Sequence, residues 1–319
     1  MTNSPIRNNT SLQRHTTGTT LFHLGALFTV AVWGVSFVST AVLLKNGLGA
    51  VEIYIYRFLI AYLLLLLIDH RRILANNLKD EFILALCGIT SGSIYYIAEN
   101  SALEYTAAAN VSLITSLAPL LTAILIGFLY KSEKLTTGTW IGSIIAFIGV
   151  GCVILNDNSL GEESLSGITG DILALSAALS WAIYSILLKR ISALYSTTFI
   201  TRKILFYGVV TALPFLTLEN HIVPIEILLK NEVWINILFL GVVASLLCFF
   251  LWSVAVKRLG AIKTSNYLYF SPVVTLIAAW IILNERITTI GYIGCFLVIA
   301  GLILGDYLSK YMRRNTIRH

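Results

Sequence analysis

The chain has 319 residues, of which 57% are hydrophobic and only 12% are charged, and its formal net charge is +6. Soluble domains carry about 25% charged residues, so this composition excludes a soluble enzyme, a disordered regulator and a fibrous protein. Residues 1–21 are polar and lack the apolar core of a signal peptide, and we predict a tail there. Apolar segments of about 20 residues, the length that crosses a bilayer as a helix, then follow at short intervals. The predicted spans are 22–44, 53–68, 82–103, 107–130, 138–155, 168–188, 200–218, 233–256, 262–283 and 289–308.

Positive charge is distributed unevenly over the connections between these spans. If the amino terminus is cytoplasmic, the outer connections hold only Lys45, Lys230 and Arg286. Arg57 lies within a span, and the other 18 of the 22 basic residues fall in cytoplasmic segments. This bias is usual in membrane proteins, so the charge does not call for a nucleic-acid partner. We therefore predict an all-α protein of ten transmembrane helices in a lipid bilayer, with both termini in the cytoplasm.

The two halves of the chain resemble each other. A shift of 153 residues superimposes glycines, prolines and hydroxyl residues, and a shift of 152 extends the match after a one-residue slip. The matched pairs include Gly88–Gly241, Ala102–Ala255, Ser112–Ser265, Pro119–Pro272, Thr122–Thr275, Glu133–Glu285, Thr136–Thr288, Gly142–Gly294 and Gly149–Gly301. Trp33 and Trp181 also occupy similar places in their helices.

This duplication predicts two inverted repeats. Five helices in each copy is an odd number, so the second copy would cross the membrane in the opposite orientation. We predict a first repeat over 22–155, an outer loop over 156–167, a second repeat over 168–308 and a basic tail over 309–319. Inverted repeats permit alternating access, because exchanging their conformations turns an inward-open cavity into an outward-open one. A duplicated scaffold without transport is the alternative.

Short matched sequences carry a resemblance to a known family. SLAPLLTAI in the first half matches YFSPVVTLI in the second, and SEKLTTGTWIG matches NERITTIGYIG. With Trp33–Gly34 and Arg57–Phe58 in the first two helices, the chain resembles the paired EamA domains of the drug/metabolite transporter superfamily over about residues 22–308. The resemblance implies a ten-helix secondary transporter in a bacterial inner membrane, often an exporter of amino acids, metabolites or drugs.

Two prolines lie inside predicted spans, Pro119 in the fourth and Pro272 in the ninth. A proline removes the backbone hydrogen bond to the carbonyl four residues earlier and bends a helix. A membrane tolerates the freed carbonyl where a neighbouring helix or a wet cavity satisfies it. We predict a pair of hinges beside the substrate path; static bends that only shape the packing are the alternative.

Two ionisable residues inside the spans are functional candidates, because charge within a bilayer is costly. Arg57 lies near the outer end of the second span and Glu99 near the outer end of the third. A carboxyl group shielded from water can hold a proton near neutral pH, so Glu99 could couple solute movement to proton movement. The alternative is a structural partner for a neighbouring cation, and the equal depth of Arg57 and Glu99 predicts that these two pair. The residue matched to Glu99 in the second repeat is Trp252, so the scaffold itself does not require the charge.

Aromatic and hydrogen-bonding residues within the spans predict a central cavity suited to amphipathic organic solutes. Several of them could instead belong to the interfacial aromatic belt or to lipid-facing packing. The predicted cavity residues are Trp33, Tyr95, Glu99, Asn100, Asn110, Trp181, Tyr184, Trp252, Asn266 and Tyr269. Few basic residues lie among them, so nucleotide sugars and phosphate esters are disfavoured.

The sequence offers little for catalysis or metal binding. The four cysteines form no CxxC, and the five histidines lie in tails, in loops or at one helix end. We predict no metal, no cofactor and no enzymatic activity, and we predict a secondary exporter of small organic solutes. An intramembrane enzyme acting on a lipid-like substrate and a non-transporting scaffold are the alternatives. The sequence leaves open the substrate, the direction of transport, the coupling ion, for which protons are the candidate, and the oligomeric state.

Overall fold

A computed structural model of the chain describes residues 10–70, 72–129, 136–154, 164–217, 219, 223–284 and 289–316. Within these ranges the chain is helical and contains no strand, which confirms the predicted all-α class. Several residues used in the predictions lie outside the described ranges. They are Arg7, Arg71, Lys131, Glu133, Lys134, His221, Glu285, Arg286, Thr288, Arg318 and His319, together with most of the 156–167 loop.

The described residues form fifteen helices, seven of them in the first half of the chain. These seven are α1 (Thr10–Lys45), α2 (Ala50–Ile68), α3 (Leu78–Gly88), α4 (Tyr95–Tyr105), α5 (Ala108–Thr115), α6 (Ala118–Leu129) and α7 (Thr137–Ile154). A π-helical segment, Ile89–Ile94, joins α3 to α4 without a break. Helix α1 thus begins within the predicted amino-terminal tail.

The second half forms eight helices. They are α8 (Ser164–Ile191), α9 (Thr197–Leu216), α10 (Ile225–Leu228), α11 (Asn231–Leu238), α12 (Cys248–Leu259), α13 (Ala261–Ser265), α14 (Ser271–Leu283) and α15 (Thr289–Thr316). A second π-helical segment, Phe239–Leu247, joins α11 to α12, and a 3₁₀ segment, Asn266–Phe270, joins α13 to α14. Helix α15 continues into the predicted carboxy-terminal tail.

Eight helical stretches are long and apolar enough to cross a membrane. They are Thr20–Lys45, Ala50–Ile68, Leu78–Tyr105, Ala108–Leu129, Gly167–Ile191, Thr197–Leu216, Asn231–Leu259 and Ala261–Leu283. The predicted fifth and tenth spans correspond to the shorter apolar helices Trp140–Gly149 and Thr289–Gly305. The described residues therefore establish a polytopic helical protein, while the count of ten spans stays a prediction.

The fourth and ninth predicted spans are both interrupted just before a proline. Pro119 is the second residue of α6, which follows a turn at Ser116 and Leu117 after α5. Pro272 is the second residue of α14, which follows the 3₁₀ segment. Proline is well tolerated in the first turn of a helix, where its missing N–H has no partner to lose. The two interruptions lie at matched positions of the repeats, and the hinge role of the prolines stays a prediction.

A glycine in each repeat contacts the second helix of the other repeat. A Cβ atom added to Gly88 would lie 2.7 Å from Tyr207 Cβ and 2.9 Å from Ile204 O in α9. A Cβ atom added to Gly241 would lie 2.9 Å from Ile60 Cγ2 and 3.3 Å from Arg57 O in α2. Arg57 and Ile60 precede Ile204 and Tyr207 by 147 residues each. The α3–α9 contact of one copy is therefore repeated as the contact of the second π segment with α2.

Helices α7 and α15 pack closely along glycine faces. A Cβ atom on Gly142 would lie 2.5 Å from Gly301 O, and one on Gly149 would lie 2.7 Å from Gly294 O. Small residues allow backbones to approach in this way within membranes. The glycines thus allow the backbones of α7 and α15 to come into contact.

Candidate functional site

A small central cavity lies where both halves of the chain meet. Its volume is about 30 Å³, which is room for roughly two water molecules. Its walls come from α1, α4, α5, α6, α8 and the region around the 3₁₀ segment. The residues that line it are Trp33, Ser36, Phe37, Tyr95, Tyr96, Glu99, Ser112, Thr115, Ser116, Ala118, Trp181, Leu268 and Ser271.

Several lining residues are related by the repeat. Thr115 and Leu268 are 153 residues apart, and so are Ala118 and Ser271. These four residues flank the two helix interruptions. Trp33 and Trp181, the tryptophans of α1 and α8, complete the relation. The cavity therefore lies on the boundary between the two copies.

The two lining tryptophans form the centre of an aromatic cluster. Their rings meet edge to face with centroids 5.2 Å apart, and the Trp33 indole N–H donates to Ala244 O at 2.9 Å. Trp252 and Phe249 of α12 pack against Trp33 with centroid distances of 5.0 and 5.8 Å. Aromatic contacts of this kind stabilise the fold beyond the contribution of the apolar area that the rings bury. Phe249 and Trp252 therefore fill the space between Trp33 and α12.

Glu99 is the only carboxyl group among the described residues that line the cavity. Its side chain is 2% exposed. It lies within interaction range of the Tyr95 hydroxyl, one helical turn earlier on α4, and of the Arg57 guanidinium. A protonatable group thus lies in the wall of a cavity that both repeats line.

Arg57 is 1% exposed and lies close to this cavity without lining it. Its Nε donates to Ser245 Oγ at 2.9 Å, and its Cζ lies 4.3 Å from the centroid of the Tyr96 ring. Neither terminal guanidinium nitrogen has a hydrogen-bond partner among the described residues. Arg57 and Glu99 form no ion pair within 4.0 Å in the described part of the chain. The predicted direct pairing is therefore absent, because Ser245 and Tyr96 hold the guanidinium elsewhere.

Four of the ten predicted cavity residues, Trp33, Tyr95, Glu99 and Trp181, line the cavity. The other six lie outside its lining, for two different physical reasons.

Three of the six are aromatic residues that belong to packed clusters. Tyr184 packs behind Trp181 with centroids 5.0 Å apart and is fully buried, and Trp252 lies within the aromatic cluster. Tyr269 is buried in a separate apolar cluster. These three rings are buried against other side chains and do not reach the cavity.

The three amides are placed elsewhere by local structure. Asn100 donates to Ala50 O at 2.9 Å and so ties α4 to the start of α2. Asn110 donates to Thr106 Oγ1 at 3.2 Å, at the start of α5. Asn266 begins the 3₁₀ segment and is partly exposed.

Sequence reasoning missed the hydroxyl groups of the cavity. Ser36, Ser112, Thr115, Ser116 and Ser271 line it, and serine or threonine in an apolar helix is too common to single out. One signal was available, because Ser112 is matched to Ser265 by the repeat. The position of the pairs Thr115–Leu268 and Ala118–Ser271 beside matched prolines was another.

One end of the bundle, which we call the 46–49 end, is closed by backbone capping. The Glu219 carboxylate accepts from the backbone N–H groups of Val51 at 2.6 Å and Glu52 at 3.1 Å, at the start of α2. The Glu52 carboxylate accepts from Val223 N at 3.2 Å. Carboxylates at a helix amino terminus satisfy its free N–H groups and its dipole. The α9–α10 connection is thereby fixed to α2.

The opposite end, which we call the 69–77 end, is closed by side-chain charges at the start of α9. Buried Lys203 donates to Glu81, which also accepts from Tyr207 and from Ala75 N at 2.7 Å. The Tyr195 hydroxyl donates to Asp80 at 2.7 Å. Burial and this hydrogen bond raise the pKa of Tyr195, so the hydroxyl remains a donor. The α2–α3 connection is fixed to α9 by these contacts.

A larger groove lies outside the central cavity, between α1, the start of the second π segment and α14. Its volume is about 510 Å³, and its walls are mostly apolar. Ser39 of α1 and Asn236 of α11 are hydrogen-bonded across it. Glu232 lies at its edge. The groove is thus separated from the central cavity by α1.

Comparisons with known proteins find a matching family and several relatives of this chain. The EamA-like transporter family matches residues 20–155 and again residues 168–305. A relative from Archaeoglobus fulgidus, named "Uncharacterized transporter", is 28% identical over 88% of this chain and 96% of its own length. A relative from Streptantibioticus cattleyicolor, named "Probable terminal-alkyne amino-acid exporter", is 26% identical over 91% of this chain and 94% of its own.

A crystal structure shares the fold. It superimposes with a TM-score of 0.70 at 18% identity, covering 93% of this chain and 99% of the other. The family match falls on both repeats and includes every helix that lines the cavity. The chain is therefore an integral membrane protein of the drug/metabolite transporter superfamily and belongs to the EamA-like transporter family.

Proposed function

We propose that the protein is a secondary exporter of small organic solutes in a bacterial inner membrane. In this proposal ten helices form two inverted repeats, both termini are cytoplasmic, and the repeats exchange conformations to give alternating access. The observation that carries the proposal is the central cavity, which pairs Trp33 with Trp181 and Thr115 with Leu268 across the two copies. A site on the boundary between repeats is one that their exchange would open to either side.

Amino acids and similar amphipathic molecules are the solutes that fit the cavity walls best. The walls combine aromatic rings, hydroxyl groups and a single carboxyl group among the described residues. Aromatic surface with a few polar groups suits small amphipathic ligands. The name of the Streptantibioticus relative, an amino-acid exporter, supports the same class and the outward direction.

The cavity must enlarge to hold such a solute. Its present 30 Å³ is far below the roughly 300 Å³ or more of typical ligand pockets. The interruptions before Pro119 and Pro272 are where α6 and α14 can move with little loss of backbone bonding. We therefore assign the described conformation to an occluded stage of the cycle, with the 46–49 end periplasmic and the 69–77 end cytoplasmic.

Glu99 is our candidate for coupling. Its buried carboxyl group faces the cavity, where it can hold either a proton or the cationic group of a solute. The groups nearest to it are Tyr95, Tyr96 and Arg57. Because one carboxyl group cannot hold both at once, solute and proton would move in opposite directions.

The test uses the purified protein in sealed proteoliposomes with an imposed pH gradient. Vesicles with an acidic lumen should accumulate radiolabelled L-leucine, L-phenylalanine or L-threonine, because departing protons drive solute inward. Glu99→Gln should lose the dependence on the gradient. Glu104→Gln is the matched control, since this carboxyl group lies on the same helix α4 but is exposed and outside the cavity.

Two outcomes would contradict the proposal at different levels. If no solute, including amphipathic drugs, moves in wild-type vesicles, the assignment as a transporter of such solutes is wrong. If Glu99→Gln still accumulates solute against its gradient as wild type does, the coupling role of Glu99 is wrong.

A further inference from the structure

Arg57 is a charge that the fold does not need. The glycine contacts match its backbone carbonyl to that of Ile204, so an apolar residue occupies the matched position in the second repeat. Its partner Ser245 is likewise matched to Gly92, 153 residues earlier. The second copy of the same scaffold therefore folds without this arginine and without its hydrogen-bond partner.

The guanidinium group of Arg57 has unused capacity to donate. It is 1% exposed, and its Nε is bonded to Ser245. The two terminal nitrogens have no hydrogen-bond partner among the described residues. A buried donor left without an acceptor costs free energy, and an arginine fork fits a carboxylate with two parallel hydrogen bonds.

Glu99 is the second charge that breaks the repeat. Its matched residue is Trp252, so the first copy alone places a buried cation and a buried anion near the cavity. The two groups interact electrostatically but are not in contact. Tyr96 connects them, since its ring lies against the guanidinium and also lines the cavity beside Glu99.

We propose that Arg57 and Glu99 together bind a zwitterionic solute, with Glu99 receiving its ammonium group and Arg57 its carboxylate. The assignment rests on the proposed transport function and names the solute class as free α-amino acids. Two opposite charges held apart in one apolar region match a molecule that carries the complementary pair. In the described conformation Tyr96 stands between the cavity and Arg57, so the full site forms when the cavity enlarges past this ring.

The proposal predicts a requirement for both ends of the solute. Binding is measured on the full-length protein in nanodiscs, with L-leucine, L-phenylalanine and L-threonine, and with the amide and N-acetyl derivative of each. The amide lacks the carboxylate and the N-acetyl derivative lacks the ammonium. Each derivative should bind on the order of 10- to 100-fold more weakly than its parent amino acid, the usual weight of a charge-assisted hydrogen bond.

Variants assign the two charges separately. In Arg57→Gln, the amino acid and its amide should bind with nearly equal affinity, a ratio close to one. In Glu99→Gln, the amino acid and its N-acetyl derivative should bind with nearly equal affinity. Arg202→Gln is the matched control, because Arg202 is also a buried arginine but lies at the 69–77 end. Its ratios should equal those of wild type. Arg57→Lys, which keeps the positive charge, should retain part of the ratio and serves if Arg57→Gln does not fold.

The outcomes separate the two proposals. Equal binding of amino acids and their amides by wild type would overturn the zwitterion site, as would the failure of all three amino acids to bind. If Arg57→Gln keeps the wild-type ratio of amino-acid to amide affinity, Arg57 has only a structural role. Arg57→Lys gives the same test if Arg57→Gln does not fold. Flux of uncharged or cationic drugs in proteoliposomes would in each case leave the proposed transport function standing.

Discussion

Arg57 and Glu99 lie in the first repeat, whereas Ile204 and Trp252 occupy the matched positions of the second. The two copies nevertheless share their glycine contacts and their interrupted helices. One copy therefore places charges beside the cavity, and the other places apolar and aromatic side chains in the equivalent region. The comparison separates the backbone contacts, which are duplicated, from the two buried charges that we propose bind a solute, which are not.

The same contrast appears at the two ends of the bundle. The start of α2 is held by the Glu219 carboxylate on backbone N–H groups. The start of α9, its counterpart, is held by the side-chain charge of Lys203 on Glu81. Equivalent connections thus close with different chemistry. Under the proposed orientation, the Lys203–Glu81 contact closes the cytoplasmic end. Salt or substitution of either side chain would weaken it.

The largest effect is expected from giving the second repeat the charge of the first. Trp252→Glu would bury a carboxylate in the aromatic cluster of Trp33, Trp181 and Phe249. An unpaired buried charge costs about 3–5 kcal/mol, so we expect little folded protein in detergent by size-exclusion chromatography. Trp252→Phe, which keeps an apolar ring, is the control. Normal yield of Trp252→Glu would show that the asymmetry has no energetic basis.

A smaller effect separates the matched glycines. A Cβ atom on Gly88 meets the backbone at Ile204 O and Gly208 N, at 2.9 and 3.0 Å, whereas one on Gly241 meets mainly the Ile60 side chain. Gly88→Ala should lower the free energy of unfolding by about 1–3 kcal/mol, the usual cost of overpacking. Gly241→Ala should lower it less, because the Ile60 side chain can shift; the helix propensity of alanine favours both substitutions by about 1 kcal/mol. Thermal unfolding in detergent gives the order, and equal losses would contradict this reading of the contacts.

The smallest effect separates the matched threonines, both fully buried. The Thr275 hydroxyl donates to Gly34 O at 2.9 Å and lies 2.9 Å from Ser112 Oγ. Thr122 Oγ1 has no hydrogen-bond partner among the described residues. Thr275→Val should therefore cost about 1 kcal/mol, and Thr122→Val should be neutral or slightly stabilising. Stabilities measured by SDS titration test this, and a loss only in Thr122→Val would reverse the assignment.

Much of the scaffold could be predicted from the sequence because its determinants are residue types. Gly88–Gly241 and Pro119–Pro272 mark backbone constraints, namely close approach and helix interruption. Such constraints leave the same amino acid in both copies. The helical class and most span boundaries follow from apolar length in the same way.

The second helices of the repeats escaped the sequence comparison for the opposite reason. Ile60 and Tyr207 share only the place where their Cβ atoms meet a glycine. Arg57 and Ile204 share a backbone carbonyl contact and nothing in their side chains. No match of residue identity can find such pairs.

The cavity was predicted only in part because these helices are apolar all round. In such a helix the sequence does not tell which face points inward. Tyr184 and Trp252 were therefore indistinguishable from Trp33 and Trp181 until the packing was known. The charges were found more easily, since a single ionisable residue in a span stands out against its surroundings.

The paired π-helical segments bear on the history of the chain. A π segment arises when one residue is inserted into an α-helix that keeps its flanking turns, and such bulges are often found at functional sites. Ile89–Ile94 precedes Tyr95, and Phe239–Leu247 precedes Cys248, which is the residue matched to Tyr95 by the shift of 153. Two independent insertions ending at the same place are a less economical history than one. A single origin before the duplication accounts for both segments, while the residues that follow them, Tyr95 and Cys248, differ.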